Sequence, residues 1–202
     1  HTDPAGHPGI RPGYAPDTWT ALTTHLTRTA GATEDELLAA GLANRASTGR
    51  LIDRFRDRVL FPITRDDGQV LGFVGRRHPD ATDDDRRGPK YLNTSDTVIY
   101  RKGDQLHTVG APDQFLTPVL VEGPMDAIAV TLAAPDQYVG VAALGTSLTP
   151  TQARHLAAWR RDPIIATDND PAGHKAAERD YWLLAAHGRD PRQGVQLAQE
   201  KA

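Results

Sequence analysis

From residue 118 onward the chain alternates short apolar runs with stretches of helix length, and this alternation limits the possible folds more than any other feature. Pro118–Val121, 138–144 and 163–167 read as strands, and Gly-Val-Gln-Leu at 194–197 as a fourth. Between them, Pro124–Ala134, the stretch from Thr149-Pro150 through Trp159, and Pro171–His187 read as helices. Strands that are apolar almost without interruption must be buried on both faces. The pattern therefore predicts an α/β fold with a parallel sheet covered by helices on either side.

The first half follows different rules. Pro16 and Asp17 can open a helix running through Trp19, Leu22 and Leu26, while Thr33 with Glu36 forms a capping box ahead of Leu37 and Leu38. Gly31 and Gly41 are natural stops. The runs 58–64 and 69–76 flank Asp66-Asp67-Gly68, a strong hairpin signal. The stretch 78–88, with a triple-aspartate run and paired arginines, reads as an exposed loop; 90–110 has little periodicity, and 112–118 reads as a connection between lobes. The expected organisation is a ragged N-terminus over 1–12, a small mixed α+β lobe over 13–116 and an α/β lobe over 117–202.

Composition excludes several chemistries. There is no cysteine, hence no disulfide framework, no thiolate nucleophile and no Cys-ligated zinc. The eight histidines lack metal-ligand spacing, so no zinc is expected. No apolar run approaches the ~20 residues of a spanning helix, and the first residues lack the marks of a signal peptide, so a cytoplasmic protein with no membrane partner is expected. The formal net charge is -3, but it is unevenly distributed. Residues 45–77 hold eight Arg against four Asp, residues 86–102 five Lys/Arg against one Asp, and the chain from 111 onward eight Lys/Arg against eleven Asp/Glu. Such runs are commonly solvated faces. The alternative is a basic surface that holds a polyanion, beside acids that hold metal.

In open parallel sheets ligands bind beyond the C-terminal ends of the strands. Glu122 follows the first strand directly, and Asp168 and Asp170 follow the third, one residue apart. Carboxylates brought close repel, and a divalent cation relieves that repulsion; Mg²⁺ needs only one or two protein carboxylates plus water. Asp126, one helical turn beyond Glu122, can share its face. Each piece also has a structural reading, since a Glu after a strand can serve a helix N-terminus and Asp-Asn-Asp before Pro171 can cap a helix.

Three strings carry a family resemblance: Val-Glu-Gly-Pro-Met-Asp-Ala-Ile-Ala (121–129), Val-Ala-Ala-Leu-Gly-Thr-Ser-Leu-Thr (141–149) and Asp-Asn-Asp-Pro-Ala-Gly-His-Lys-Ala-Ala (168–177). Together they resemble the Toprim module of bacterial DnaG-type primases. Upstream, Gly13-Tyr14-Ala15-Pro16 with Trp19, Arg54-Phe55-Arg56 through Phe61-Pro62-Ile63, Gly68 through Gly75-Arg76, and Pro89-Lys90-Tyr91-Leu92-Asn93 resemble segments of the RNA-polymerase core of the same enzymes. The resemblance implies metal binding by Glu122, Asp168 and Asp170 with Asp126 nearby, the metal being Mg²⁺ or Mn²⁺. It also implies a basic ridge for template and nucleotide that includes Arg76, Lys90 and Lys102, with Tyr91 and Asn93 in the family's Tyr-Leu-Asn element. Arg54, Arg56 and Arg58 lie in a matching Arg-rich stretch. Two departures stand out. Primases carry a further acidic pair that by family spacing falls just past Ala202, and the family's helix between Leu106 and Pro118 is hard to see. The expectation is an excised core, separated from the zinc-binding domain and from the domain through which a replicative helicase is engaged.

The implied reaction is synthesis of short RNA primers on single-stranded DNA from nucleoside triphosphates, in a groove between the lobes. Two other functions remain open on the residues: a catalytically silent Toprim module that binds single-stranded DNA within a larger replication, conjugation or mobile-element protein, and a Toprim nuclease.

Overall fold

The computed structural model describes residues 10–65, 67–78, 88–109, 113, 115–145 and 147–193. The chain separates into two compact units, one built mainly from Arg11–Arg65 and Gln69–Arg101, the other from Lys102 onward.

The first unit contains β1 (Gly13–Ala15), α1 (Ala21–Ala30), α2 (Glu34–Ala39), β2 (Ala43–Arg45), β3 (Leu51–Asp53), β4 (Arg58–Thr64), β5 (Val70–Arg77) and β6 (Tyr91–Asn93). The expected hairpin is present as β4 and β5, with Gly68 at φ +83° in the connection; Asp66 lies outside the described residues. β1 and β6 extend it to an antiparallel sheet ordered β1-β4-β5-β6. Helix α1 begins at Ala21, later than Pro16-Asp17, because its N-terminal amides are satisfied from a distance: the Asp53 carboxylate accepts from Leu22 N at 2.8 Å and Thr23 N at 2.9 Å. The Thr33–Glu36 capping box is present in full. Phe55, buried, meets Phe73 edge to face at 6.3 Å between centroids and presses on Gly75, where a Cβ would stand 2.8 Å from its ring.

The second unit contains β7 (Leu106–Thr108), β8 (Thr117–Val121), α3 (Pro124–Ala133), β9 (Tyr138–Ala143), α4 (Pro150–Ala157), β10 (Ile164–Ala166), α5 (Pro171–Ala185) and β11 (Arg192–Gln193). The sheet order is β11-β10-β8-β9-β7, parallel except for β7, which pairs antiparallel with β9. Two expectations change. The units divide at Arg101/Lys102 rather than 116/117, because β7, in a stretch without visible periodicity, belongs to this sheet. The strand parallel to β10 begins at Arg192, ahead of the expected 194–197, which lie outside the described residues.

Helices cover both faces, as the apolar strands require. Leu120, Val139, Val141 and Ile165 pack with Leu156 and Trp159 of the α4 region and Leu184 of α5. Val119, Val121 and Ala142 pack with Ala127 of α3. On that second face a Cβ at Gly140 would sit 2.0 Å from the Ala127 carbonyl oxygen, so only glycine lets α3 come this close to β9. Thr131 seals the contact by donating to Ala127 O and accepting from Gly140 N, each at 2.9 Å. Among the described residues no helix is long and apolar enough to cross a membrane.

Candidate functional site

Strand order fixes where this sheet can hold a ligand. From β8 the chain crosses through α3 to β9 on one side, whereas β10 lies on the other side of β8 and leads through α5 to β11. Neighbouring strands whose connections diverge leave a crevice at their C-terminal ends, the switch point of doubly wound sheets. β8 and β10 are that pair, in register Ala166↔Val121. Glu122 and Asp168 follow at their ends, and Asp168 N donates to Glu122 Oε1 at 2.9 Å.

The four candidate acids play unequal parts. Glu122, Asp126, Asp168 and Asp170 are all solvent-exposed. Asp126 lies in the first turn of α3, its Oδ2 3.0 Å from where a Cβ on Gly123 would be. Asp170 is the N-cap of α5: its Oδ1 accepts from Ala172 N at 2.9 Å and Gly173 N at 2.7 Å. Gly173 lets α5 approach, since a Cβ there would meet Asp168 O at 2.0 Å. Among the described residues no group of three or more His, Cys, Asp or Glu side chains converges as a cage for an ion. One oxygen of Asp170 serves the helix and one of Glu122 serves the Asp168 amide, and all four carboxylates remain exposed. The donor set still fits Mg²⁺, because hard carboxylate oxygens that leave most positions to water are what that ion accepts.

The basic candidates separate by burial. Arg58 is 2% exposed, its Nη1 donates to Gly75 O and Lys90 O, both at 3.3 Å, and burial lowers its pKa with the Arg77 charge adding to the effect. It staples the sheet and cannot reach a polyanion, which corrects its place among the binding residues. Arg54, half-buried, donates to the Asn93 carbonyl at 2.6 Å through Nη2, so it positions the Tyr91–Asn93 strand. Arg56 stacks over the exposed Trp19 ring at 3.8 Å.

Arg76 stands at the centre of a cross-strand row. The registers Tyr14↔Val59, Val59↔Arg76 and Arg76↔Tyr91 put four residues on one face of the sheet, with Tyr14 56% and Tyr91 37% exposed at the two ends. The Lys90 ammonium lies 5.7 Å from the Tyr91 ring centroid. Tyr14 was legible only as part of a motif, because its place in the row depends on β1 pairing with β4.

Lys102 belongs to the second unit, not to the N-terminal basic lobe. Its Cε lies 4.0 Å from the position of a Cβ on Gly145, just past the C-terminal end of β9 and so on the side of the sheet that carries the acids. Two residues absent from the sequence-based set hold its turn. Gln152, buried, donates through Nε2 to Lys102 O at 3.2 Å and Gln105 O at 2.7 Å; Thr149 Oγ1 donates to Gly103 O at 2.6 Å. The Thr-Pro-Thr-Gln string announced a helix start, but nothing local in it announced a partner nearly fifty residues away.

Residues 8–111 match a family described as DNA primase catalytic core, N-terminal domain, and residues 119–198 one described as Toprim-like. The DNA primase of Clostridium acetobutylicum is 38% identical over 181 residues, which cover 88% of this chain and 29% of the relative. The RNA polymerase domain of Mycobacterium tuberculosis primase DnaG superposes with a TM-score of 0.73 at 30% identity, covering 89% of this chain and 60% of that one. A DnaG primase catalytic domain bound to ssDNA gives a TM-score of 0.69 at 35% identity, covering 83% and 51%. The chain spans less than a third of the length of the curated relatives it matches. With a primase core domain matched over more than half its length and a Toprim-like domain following it, the chain belongs to the DnaG-type DNA primase family and has that family's catalytic-core fold.

Proposed function

We propose that this chain is the catalytic core of a primase-type, DNA-directed RNA polymerase that acts in the cytoplasm and makes short RNA primers on single-stranded DNA. The observation that carries the reading is the hydrogen bond joining Glu122 to Asp168 at the switch point of the Toprim-like sheet, in a chain of the primase family. The 3′-hydroxyl of the growing strand attacks the α-phosphate of a nucleoside triphosphate; the α–β bond breaks, pyrophosphate leaves and the hydroxyl proton passes to solvent. Glu122 and Asp168, with Asp126 and the second oxygen of Asp170 beside them, would hold Mg²⁺ or Mn²⁺, which supplies charge stabilisation for the entering and leaving oxygens. Lys102 lies on the same side of the sheet and suits the triphosphate.

The Tyr14–Val59–Arg76–Tyr91 row, with Lys90 at its margin, supports template binding without sequence readout. Exposed aromatic rings offer stacking surface to any base, and Arg76 and Lys90 offer charge to phosphates. Arg56 on Trp19 is a second stacking surface of the same unit. A replicative helicase would be engaged by sequence outside these residues.

A second reading is a catalytically silent module that binds single-stranded DNA. Incubation with single-stranded DNA, ribonucleotides and Mg²⁺ or Mn²⁺ separates the possibilities. Template-dependent ribonucleotide incorporation supports the polymerase, DNA binding without incorporation supports the silent module, and DNA cleavage without nucleotides supports a nuclease.

A further inference from the structure

The turn at Lys102–Gln105 has no ladder of its own to fix it ahead of β7, yet it carries the lysine assigned to the triphosphate. Three side-chain hydrogen bonds fix it instead, all from the start of α4. Resting on the polymerase reading, we infer that Gln152 is a positioning residue for the nucleotide: its amide clamps the Lys102–Gln105 turn and so places Lys102 against Gly145 at the ligand-binding end of the sheet.

The chemistry of the third helical position makes the case. A capping box is satisfied by Glu or Gln there, since all it asks is a side-chain oxygen to accept from the N-cap amide. Gln152 supplies that oxygen to Thr149 N at 2.9 Å. Its Nε2 has two further protons, and both have an acceptor, Lys102 O and Gln105 O. A glutamate would keep the cap and turn a carboxylate oxygen, at hydrogen-bond distance, toward two carbonyl oxygens. The amide is therefore selected by the turn and not by the helix. Thr149 adds to the clamp, because its hydroxyl donates to Gly103 O while accepting from Gln152 N. Every backbone carbonyl from Lys102 to Gln105 except that of Asp104 is thus held by the first turn of α4.

The test uses the whole chain. Gln152→Glu keeps the cap acceptor and removes both donors; Lys102→Ala removes the side chain being placed. The KM for ribonucleoside triphosphate should rise about tenfold or more in each single variant, with kcat falling less, and the double variant should be no worse than Lys102→Ala alone. Amide hydrogen exchange at 102–105 should quicken about tenfold in Gln152→Glu while β8 and β9 keep their protection. Wild-type exchange at 102–105, or an effect that multiplies undiminished on the Lys102→Ala background, would overturn the inference. An unchanged KM in Lys102→Ala would instead overturn the assignment of Lys102 to the nucleotide, and the exchange measurement would still decide whether Gln152 holds the turn. Should Gln152→Glu not fold, Thr149→Val carries the same comparisons, with Thr149→Ser expected to restore wild-type values.

Discussion

The Asp168 amide donates to the Glu122 carboxylate across 2.9 Å, joining the ends of two neighbouring parallel strands through one acid while the other acid's side chain stays exposed. Glu122 thus has a structural task beside the chemical one proposed for it, and the two can be separated. Glu122→Gln keeps an acceptor oxygen and should retain wild-type stability, whereas Glu122→Ala should lose about 1 kcal/mol. Denaturant unfolding compares them, and equal losses in both variants would mean that the hydrogen bond contributes nothing.

Asp170 caps α5 through one oxygen. Asp170→Ala should therefore cost about 1 kcal/mol, and Asp170→Ser, which keeps an acceptor for the N-terminal amides, only a fraction of that. A loss of Mn²⁺ affinity in Asp170→Ser, read by calorimetry at unchanged stability, is the outcome expected if the second oxygen serves the metal.

Arg58 and Lys90 carry the same charge and should fail differently. Arg58→Ala removes a donor from the Gly75 and Lys90 carbonyls, the latter still accepting from Arg77 N at 2.9 Å, and empties a buried volume, so roughly 2–4 kcal/mol of stability should go. Lys90 is exposed, and Lys90→Ala should leave the unfolding midpoint unchanged. Its mark should be weaker binding of single-stranded DNA, with a log K versus log salt slope shallower by about 0.7. Fluorescence anisotropy against salt reads the second effect.

His107 sits in β7 at 2% exposure with no hydrogen-bond partner for Nδ1 among the described residues, and burial pushes its pKa down from 6.5 to about 4. The folded chain keeps this ring neutral where the unfolded chain already binds a proton. Its contribution is therefore full above pH 6.5, declines as pH falls from 6.5 toward 4, and levels off below. At 1.36 kcal/mol per pH unit the window amounts to roughly 3 kcal/mol. Unfolding of the wild type and of His107→Leu at pH 7 and pH 5 should show the difference; parallel pH profiles would contradict it.

How far the sequence could be read depended on the range of the interactions involved. The sheet of the second unit was legible because its strands are apolar throughout, and the capping box at Thr33 and the helix start at Thr149-Pro150 were legible because their signals lie within one turn. The ends of β8 and β10 followed from the same pattern, and with them Glu122 and Asp168. What stayed hidden depended on distant partners. Asp53 sets the start of α1 from thirty residues away, β7 owes its strand to β9, and Arg58 reads as a binding arginine until Gly75 leaves space for its stem. Charge counting could not distinguish an arginine that faces solvent from one that holds carbonyls.

Metal-dependent nucleotidyl transfer by Glu122 and Asp168 is tested by Mn²⁺-dependent ribonucleotide incorporation on single-stranded DNA, measured for the wild type and Asp168→Asn. The wild type should extend RNA, and Asp168→Asn should lose at least about a hundredfold of that rate while binding the DNA with unchanged affinity. Incorporation by Asp168→Asn at the wild-type rate would contradict the account.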